Sequence, residues 1–549
     1  MIWNHNWHPI RRRSVCARSW FPLDGAVDNR WINRIQRGAQ KILKGSSSAL
    51  EKRSLREDQH RSLQWSTTKH SRDLSASSVP FAFGRGYEFS TGVLNSPLPA
   101  ENWRIHNTKL GTLRAADDVD VVIREGVNHL VAVIGFAIDT DAGWVGSKSV
   151  AEKIEKLITD ADNVSAADEY ILWLGGRFVV ILRCKDTWRI HVDATASRSC
   201  YWAEDNGRLL LASHSTLVAR EVGDLSRAQS YAVLSDPDYE NPSGKWLPGC
   251  ITPHDCVNLV HANCVLTYSA TNLTHERVFP LDKHAPQRRL RTRLVSEHVA
   301  HELRIQTEAW LSQAEESYIA LTSGQDSLVV LLSSLDVLQE RHTAALTYVF
   351  TDKFDSGGMR DLLGANRRAM ASGIGHKILG IKKFEYAGDF ARIYKKTFSA
   401  WARFPALSKA LWEEVSSEAL VLFGVGGEVG TAFYTDRSDA ELTGELLAQK
   451  FTKSKFRESE MLIDTMEEYI EYTQLDTVDN SLADFYDLFY WESRLSGWAA
   501  TGYAEYELGP TIGLPFNTRK ILWPMMCMPL EDRKRKSVYR NIIRRSALN

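Results

Sequence analysis

Long hydrophobic runs are missing from this 549-residue chain. The longest, Leu130 to Ile138, falls well short of the roughly 20 apolar residues that a membrane-spanning helix needs. No transmembrane segment is expected. Charge of one sign is scarce as well: 67 Lys and Arg face 68 Asp and Glu, for a formal net charge of −1. Nothing global favours nucleic acid or an anionic membrane as a partner. Seven cysteines, an odd number at irregular spacings, exclude a secreted disulfide framework and make a cytoplasmic location the expectation. Internal repeats are missing too.

A chain of this length is expected to hold two or more domains. Residues 1–78 carry 15 Lys and Arg against 6 Asp and Glu. Trp31, Ile35, Ala39 and Ile42 share one helical face there, ringed by Arg34, Arg37, Lys41 and Lys44. This segment reads as a basic, poorly ordered extension; a transit peptide or an arm for a membrane surface or RNA is the alternative. Residues 79–275 read mainly as strands, with one helix at about Ser149 to Ala161 and a hairpin turn at Asn206-Gly207. Residues 276–549 alternate short strands (Tyr318 to Leu321, Ala345 to Phe350, Ala419 to Phe423) with helices (Leu290 to Ala314, Leu328 to Gln339, Asp361 to Gly373, Phe485 to Thr501). That alternation predicts a parallel sheet covered on both faces, with ligands at the carboxyl ends of its strands.

The most informative stretch is Ser317 to Leu331. An apolar strand runs into a small polar loop, Thr322-Ser323-Gly324-Gln325-Asp326-Ser327, and then into an apolar helix. Unpaired N–H groups at a helix start cradle anions. Asp326 would repel phosphate unless Mg²⁺ lay between them. The loop therefore points to a nucleotide triphosphate with its metal, although it is no Walker loop.

Thr322 to Ser327 resembles the S-G-G-x-D-S pyrophosphate loop of the asparagine synthetase family, whose relatives include β-lactam synthetases and lasso-peptide cyclases. Leu422-Phe-Gly-Val-Gly-Gly-Glu-Val-Gly-Thr-Ala-Phe-Tyr434 resembles that family's S-G-E-G-A-D-E-L-F-G-G-Y. Gly424 and Gly426 match, and Glu428 stands for the metal-binding Asp. Upstream, Gly175 to Leu182, His191 to Trp202 and Leu210 to Ser213 are similar to the late strands of a class II glutamine amidotransferase domain. The resemblance covers most of residues 130–545 in the family's order. It implies an N-terminal Ntn-type αββα sandwich over residues 79–275. A parallel-sheet pyrophosphate-loop domain of the adenine nucleotide α-hydrolase kind is implied over residues 276–549.

The resemblance further implies ATP and Mg²⁺ as cofactors. Thr322, Ser323, Gly324, Gln325, Asp326, Ser327, Thr347, Gly424 and Gly426 would contact the nucleotide, and Asp326 and Glu428 would hold the metal and act in catalysis. A small-molecule or peptide carboxylate would be activated as an acyl-adenylate and an amine would displace AMP; an oligomer fits this reading. The family's glutaminase nucleophile is a Cys exposed by removal of Met, but residue 2 here is Ile and Cys16 lies inside the basic extension. No working glutaminase is expected. Val425 occupies a position of proton handling in the family, and the family's late Lys, which normally follows the segment matched here by Tyr539 to Ile543, has no counterpart there, since Lys534 and Lys536 lie upstream. These departures leave two alternatives to asparagine synthesis: a specialised natural-product or peptide ligase, and a non-enzymatic ATP-binding scaffold. Asp361 is expected to cap a helix, Glu492 and Arg494 either pair or meet substrate, and Arg533 to Arg545 reads as a solvated basic face. Cys250, Cys256 and Cys264 with His254 and His261 lack the paired spacing of a zinc site.

Overall fold

The computed structural model describes residues 79, 81–141, 143–160, 164–241, 244–286, 290–351, 356–399 and 403–546. The basic segment 1–78, with its Trp31-to-Ile42 face and Cys16, lies outside the described residues.

Two antiparallel six-stranded sheets form from β1 (Tyr87–Ser90), β2 (Trp103–Asn107), β3 (Thr112–Ala116), β4 (Val121–Glu125), β5 (His129–Ile138), β6 (Gly175–Cys184), β7 (Thr187–Val192), β8 (Tyr201–Asp205), β9 (Arg208–Ala212), β10 (Asn258–Leu259), β11 (Cys264–Ser269) and β12 (Asn272–Arg277). The first has the order β10-β8-β9-β1-β3-β2 and the second β12-β11-β7-β6-β5-β4. Their inner faces share one core, in which Tyr87, Phe89 and Leu113 meet Leu130, Ala132, Ile181 and Ile190. The outer face of the second sheet (Val131, Val133, Val180, Leu182) packs on Val150, Ile154 and Ile171 of the helices Ser147–Asp160 and Val164–Leu172. The outer face of the first (Ala116, Leu210, Ala212) packs on Leu217 and Val218 of the helix Ser215–Val222. This is the expected αββα sandwich. It explains why Leu130 to Ile138 is continuously apolar rather than alternating: both faces of β5 are covered. The helix Val164–Leu172 escaped the sequence reading. It buries only Ala167, Ile171 and Leu172, too sparse a stripe to stand out.

The second half is built on a parallel sheet of β13 (Ser317–Ala320), β14 (Ala344–Phe350), β15 (His376–Ile381), β16 (Leu420–Leu422) and β17 (Thr511–Gly513), in the order β15-β14-β13-β16-β17. One face (Ile319, Leu321, Ala345, Leu422) packs on Val299, Leu303 and Trp310 of the helix Thr292–Leu311. The other face (Ala320, Leu346, Leu379, Val421) joins the core that continues into the sandwich. The sheet, covered on both sides, is the expected one.

Three helices depart from the sequence reading. The segment expected as Leu328 to Gln339 starts earlier, at Gln325, and breaks at Ser334 into Gln325–Ser333 and Leu335–Glu340. Ser334 is fully buried, has φ −125°, and turns its hydroxyl to Thr307 Oγ1 at 3.0 Å, a side-chain bond that competes with helical continuation. The helix expected from Asp361 begins at Ser356. The segment Phe485 to Thr501 is helical, but Tyr490–Ala499 winds as a π-helix. Among the described residues no helix is long and apolar enough to cross a membrane.

Candidate functional site

Strand order reverses between β13 and β16: β14 and β15 lie to one side of β13, β16 and β17 to the other. Such a switch point leaves a crevice at the carboxyl ends of the two central strands. The loop Thr322 to Ser327 leaves β13 there, and the Gly-rich turn after β16 leaves beside it. The two touch. A Cβ on Gly424 would come within 2.8 Å of the Ser327 backbone N and 2.9 Å of its Cα. Gly426 has φ +109°, a conformation that L side chains rarely adopt, and its N–H donates to Glu428 Oε2 at 3.0 Å. The glycines thus bring Glu428 and Asp326 to one place.

The Asp326 charge acts on Glu428. Glu428 has its pKa pushed up to about 7, first by burial and then by the negative charge of Asp326; hydrogen bonds from the Glu428 and Gly426 backbone N–H groups, and less so the Lys536 charge, partly offset both. The Tyr539 hydroxyl donates to Asp326 Oδ1 at 2.8 Å. A methyl on Gly427 would overlap that hydroxyl and come within 3.0 Å of Phe516. Gly427→Ala is therefore expected to dislodge Tyr539 from Asp326 and to cost about 1–3 kcal/mol through overpacking. Urea unfolding checks this, and the double variant with Tyr539→Phe should regain part of the loss.

The loop is held from outside by the helix Ser356–Ala371. Arg368 donates to three successive loop carbonyls: Thr322 O at 2.5 Å, Gly324 O at 2.6 Å and Ser323 O at 2.9 Å. Asp361 accepts from the Ser323 backbone N–H at 3.1 Å and also from its hydroxyl. Asp361 is therefore a loop anchor inside a helix, not the helix cap expected from the sequence. Gly324 N–H donates to Thr322 Oγ1 at 3.0 Å. Gly324 is the N-cap residue of the helix Gln325–Ser333, with Asp326 in its first turn. The Gln325 Oε1 atom is buried without a donor. Thr347 is buried, its hydroxyl donating to Leu321 O at 2.7 Å and lying 2.9 Å from His376 Nε2.

Thr322, Ser323, Gly324, Gln325, Asp326, Ser327, Gly424, Gly426 and Glu428 are thus gathered at one crevice; the side chain of Thr347 is turned away from it. Two mutually repelling carboxylates and an acceptor without a donor suit a divalent cation. Among the described residues no three His, Cys, Asp or Glu side chains converge as a metal group. A cation at Asp326 and Glu428 would need ligand oxygens to complete its shell, as Mg²⁺ does with phosphates.

Tyr539, Arg368 and Lys536 were not singled out as site residues from the sequence. Tyr539 carried a faint signal, being the aromatic of an otherwise basic run. That run is not a solvated face throughout: Arg533 is buried and ion-pairs with Asp487, and Val538, Tyr539 and Ile542 pack inward. Val425 packs against the core. Glu492 and Arg494 do not pair, since Glu492 is bound by Arg277. Two cavities elsewhere, one lined by Ser199, His214 and Phe398 and the other by Leu247, His261 and Ser493, hold about 30 Å³ each. That is room for one or two waters rather than a substrate.

No family model matches the chain, and no curated protein matches it. Among solved structures it is similar to a glutamine phosphoribosylpyrophosphate (PRPP) amidotransferase from B. subtilis complexed with ADP and GMP. The identity is 10%, over 69% of this chain and 73% of that one, with a TM-score of 0.21. A structure described as the allosteric regulatory enzyme of purine biosynthesis gives 11% identity over 71% and 74%, with a TM-score of 0.22. Superposition this loose carries no argument about activity; the αββα sandwich stands on its own sheets and helices.

Proposed function

We propose that this chain is an asparagine synthetase-like ligase. It would activate a carboxylate with ATP, release pyrophosphate, and pass the acyl group from AMP to an amine. One observation carries the reading: a helix N-terminus and two carboxylates converge at the switch point of a parallel sheet. The N–H groups of Gln325, Asp326 and Ser327 and the hydroxyls of Thr322 and Ser327 would hold the pyrophosphate. Asp326 and Glu428 would hold Mg²⁺, which neutralises charge on the leaving pyrophosphate when bound. The backbone at Thr347 would flank adenine. The substrate carboxylate would attack the α-phosphorus in line, a step that needs positioning more than covalent help. Val425 has no proton to give or take, so the amine must arrive as the free base or find its base elsewhere. Burial pushes the Cys200 thiol up to about 12, which does not suit it as a nucleophile.

Asp326→Asn tests the reading. ATP with Mg²⁺ is expected to raise the unfolding temperature of the wild type by mass action and to have little effect on the variant. No shift in the wild type sinks the proposal. A non-enzymatic nucleotide-binding scaffold is the second reading, favoured by the loop N–H groups of Ser323 and Gly324, which Asp361 and Thr322 already occupy. Release of AMP with candidate carboxylates separates the two.

A further inference from the structure

β15 is the last strand of the parallel sheet, and the helix Ser356–Ala371 lies along that edge. The inner face of the helix is fully used. Ala365 and Ala369 are buried, Asp361 and Arg368 hold the loop Thr322 to Ser327, and a Cβ on Gly364 would come within 2.9 Å of Ser323. The outer face is bare: Met359, Leu363 and Met370 are 40%, 47% and 74% exposed. With Asn366 between the last two, they fall at i, i+4, i+7 and i+11, one stripe along the helix. Asn366 fixes where that stripe lies. Its Oδ1 is 3.2 Å from His376 Nδ1 on β15. Ile378, two residues on and so on the same face of the strand, is half exposed. The stripe and Ile378 therefore flank one open groove at the edge of the sheet. Single exposed apolar residues are ordinary, but four in one strip with a polar rim mark a place of contact.

The rim has one sign. Residues 356–384 carry six Lys and Arg against one acid, Asp361, and that acid is turned to Ser323. Arg360 and Arg367, seven positions apart and so on one flank of the stripe, are exposed, as is Lys382 just past β15. None of these three has a hydrogen bond or ion pair among the described residues. This charge narrows the choice of occupant. A second copy docked about a two-fold axis would set these cations against their own counterparts, and the basic segment 1–78 would add more of the same sign. Nucleic-acid phosphates would answer the arginines but leave the apolar stripe unmatched. A strand added to the β15 edge would leave the stripe bare as well. A helix with apolar side chains along one face and carboxylates beside them answers both features, by packing on the stripe and pairing with Arg360 and Arg367.

We propose that this groove docks an acidic amphipathic helix of another protein. The partner would sit on the back of the helix whose Asp361 and Arg368 hold the candidate site's loop. The inference does not rest on the adenylation reading.

The test titrates the full chain with a fluorescently labelled helical peptide of about 18 residues. The peptide carries Leu at i, i+4, i+7 and i+11, Glu on the flanks of that stripe and Ala elsewhere. By anisotropy it is expected to bind at least about tenfold more tightly than the same peptide with Lys for Glu, and more weakly as salt rises. Met370→Asp and Leu363→Asp should each lower its affinity at least about tenfold. Arg360→Glu combined with Arg367→Glu should reverse the preference, so that the Lys peptide binds better. These positions are exposed, and urea midpoints close to that of the wild type would place the losses at the surface. In the complex, amide exchange should slow within residues 356–384. The proposal is overturned by no saturable binding of the Glu peptide, by unaltered binding in both Asp variants, or by protection confined to other residues. Tighter binding of phosphatidylserine vesicles or single-stranded DNA, lost in the same variants, would overturn the helix as occupant. A dimer that Met370→Asp abolishes would do the same.

Discussion

Arg277→Met is expected to destabilise the protein by about 3–5 kcal/mol, the usual consequence of stranding one member of a buried ion pair. Arg277 is 2% exposed at its side chain and Glu492 0%. Burial works against the Arg277 charge, but Glu492 outweighs it and raises the guanidinium pKa. Arg277 also donates to Phe279 O at 3.0 Å and Thr473 O at 2.9 Å, so its removal leaves carbonyls as well as a carboxylate unpaired. With Arg277 gone, Glu492 would keep only the Asn263 amide. The double variant Arg277→Met, Glu492→Leu should recover much of the loss, because the cost lies in the uncompensated charge rather than in the absence of a pair. Urea unfolding of the two variants and the wild type decides this. A double variant as unstable as the single one would mean that packing around Arg277, not charge, is what matters.

The sequence made the sheets legible for a simple reason. β5, β6 and β13 are short apolar runs bounded by turn residues, and such runs have few ways to be buried. The site was legible for another reason: Thr322 to Ser327 and Gly424 to Glu428 each place glycines and carboxylates where two strands end, and both loops fell in the expected order. What could not be read were partners brought from far along the chain. Arg368, 44 residues past Gly324, looks like any helix-surface arginine until its three carbonyls are seen. Tyr539 lies 213 positions from Asp326. Asp361 was expected to cap because it stands at the start of the helix that the sequence predicts, yet the helix begins five residues earlier, at Ser356, and the Asp361 carboxylate binds Ser323. Long-range pairing of this kind leaves no local period or spacing to detect.

Val425 illustrates the opposite relation between sequence and structure. Its departure from the resembled pattern is plain from the sequence alone, and its packing against the core accounts for an apolar side chain there. Any proton transfer in amide formation would have to fall to another group. Tyr539 donates to Asp326, but burial is the first cause raising its phenol, and that of Tyr490, well above their ordinary range. They are suited to donate hydrogen bonds and not to act as bases. A reaction at this crevice would therefore be organised around charge neutralisation and positioning.

Glu507→Gln is the second variant expected to cost about 3–5 kcal/mol at neutral pH. Arg177, in β6 of the sandwich, crosses to pair with Glu507 and donates to Ile512 O at 3.1 Å in the parallel-sheet half. Arg85 reaches the Glu507 carbonyl at 2.7 Å. The partner of Arg177 lies 330 positions away, so the pair leaves no local spacing to read. Burial opposes ionisation of Glu507, yet Arg177, Arg198 and Arg85 overcome it and hold its pKa below the ordinary value. A carboxylate with a depressed folded-state pKa contributes stability that is complete above its unfolded value, near 4.5, and is lost as the pH falls through the folded one. Wild type and Glu507→Gln should therefore differ most at pH 7 and converge in acid. The amide would leave three guanidiniums facing one another without their shared counter-charge at any pH. Urea titrations at neutral pH and below pH 4 measure the gap directly. A gap that stays constant with pH would show that ionisation of Glu507 is not what ties the sandwich to the parallel sheet.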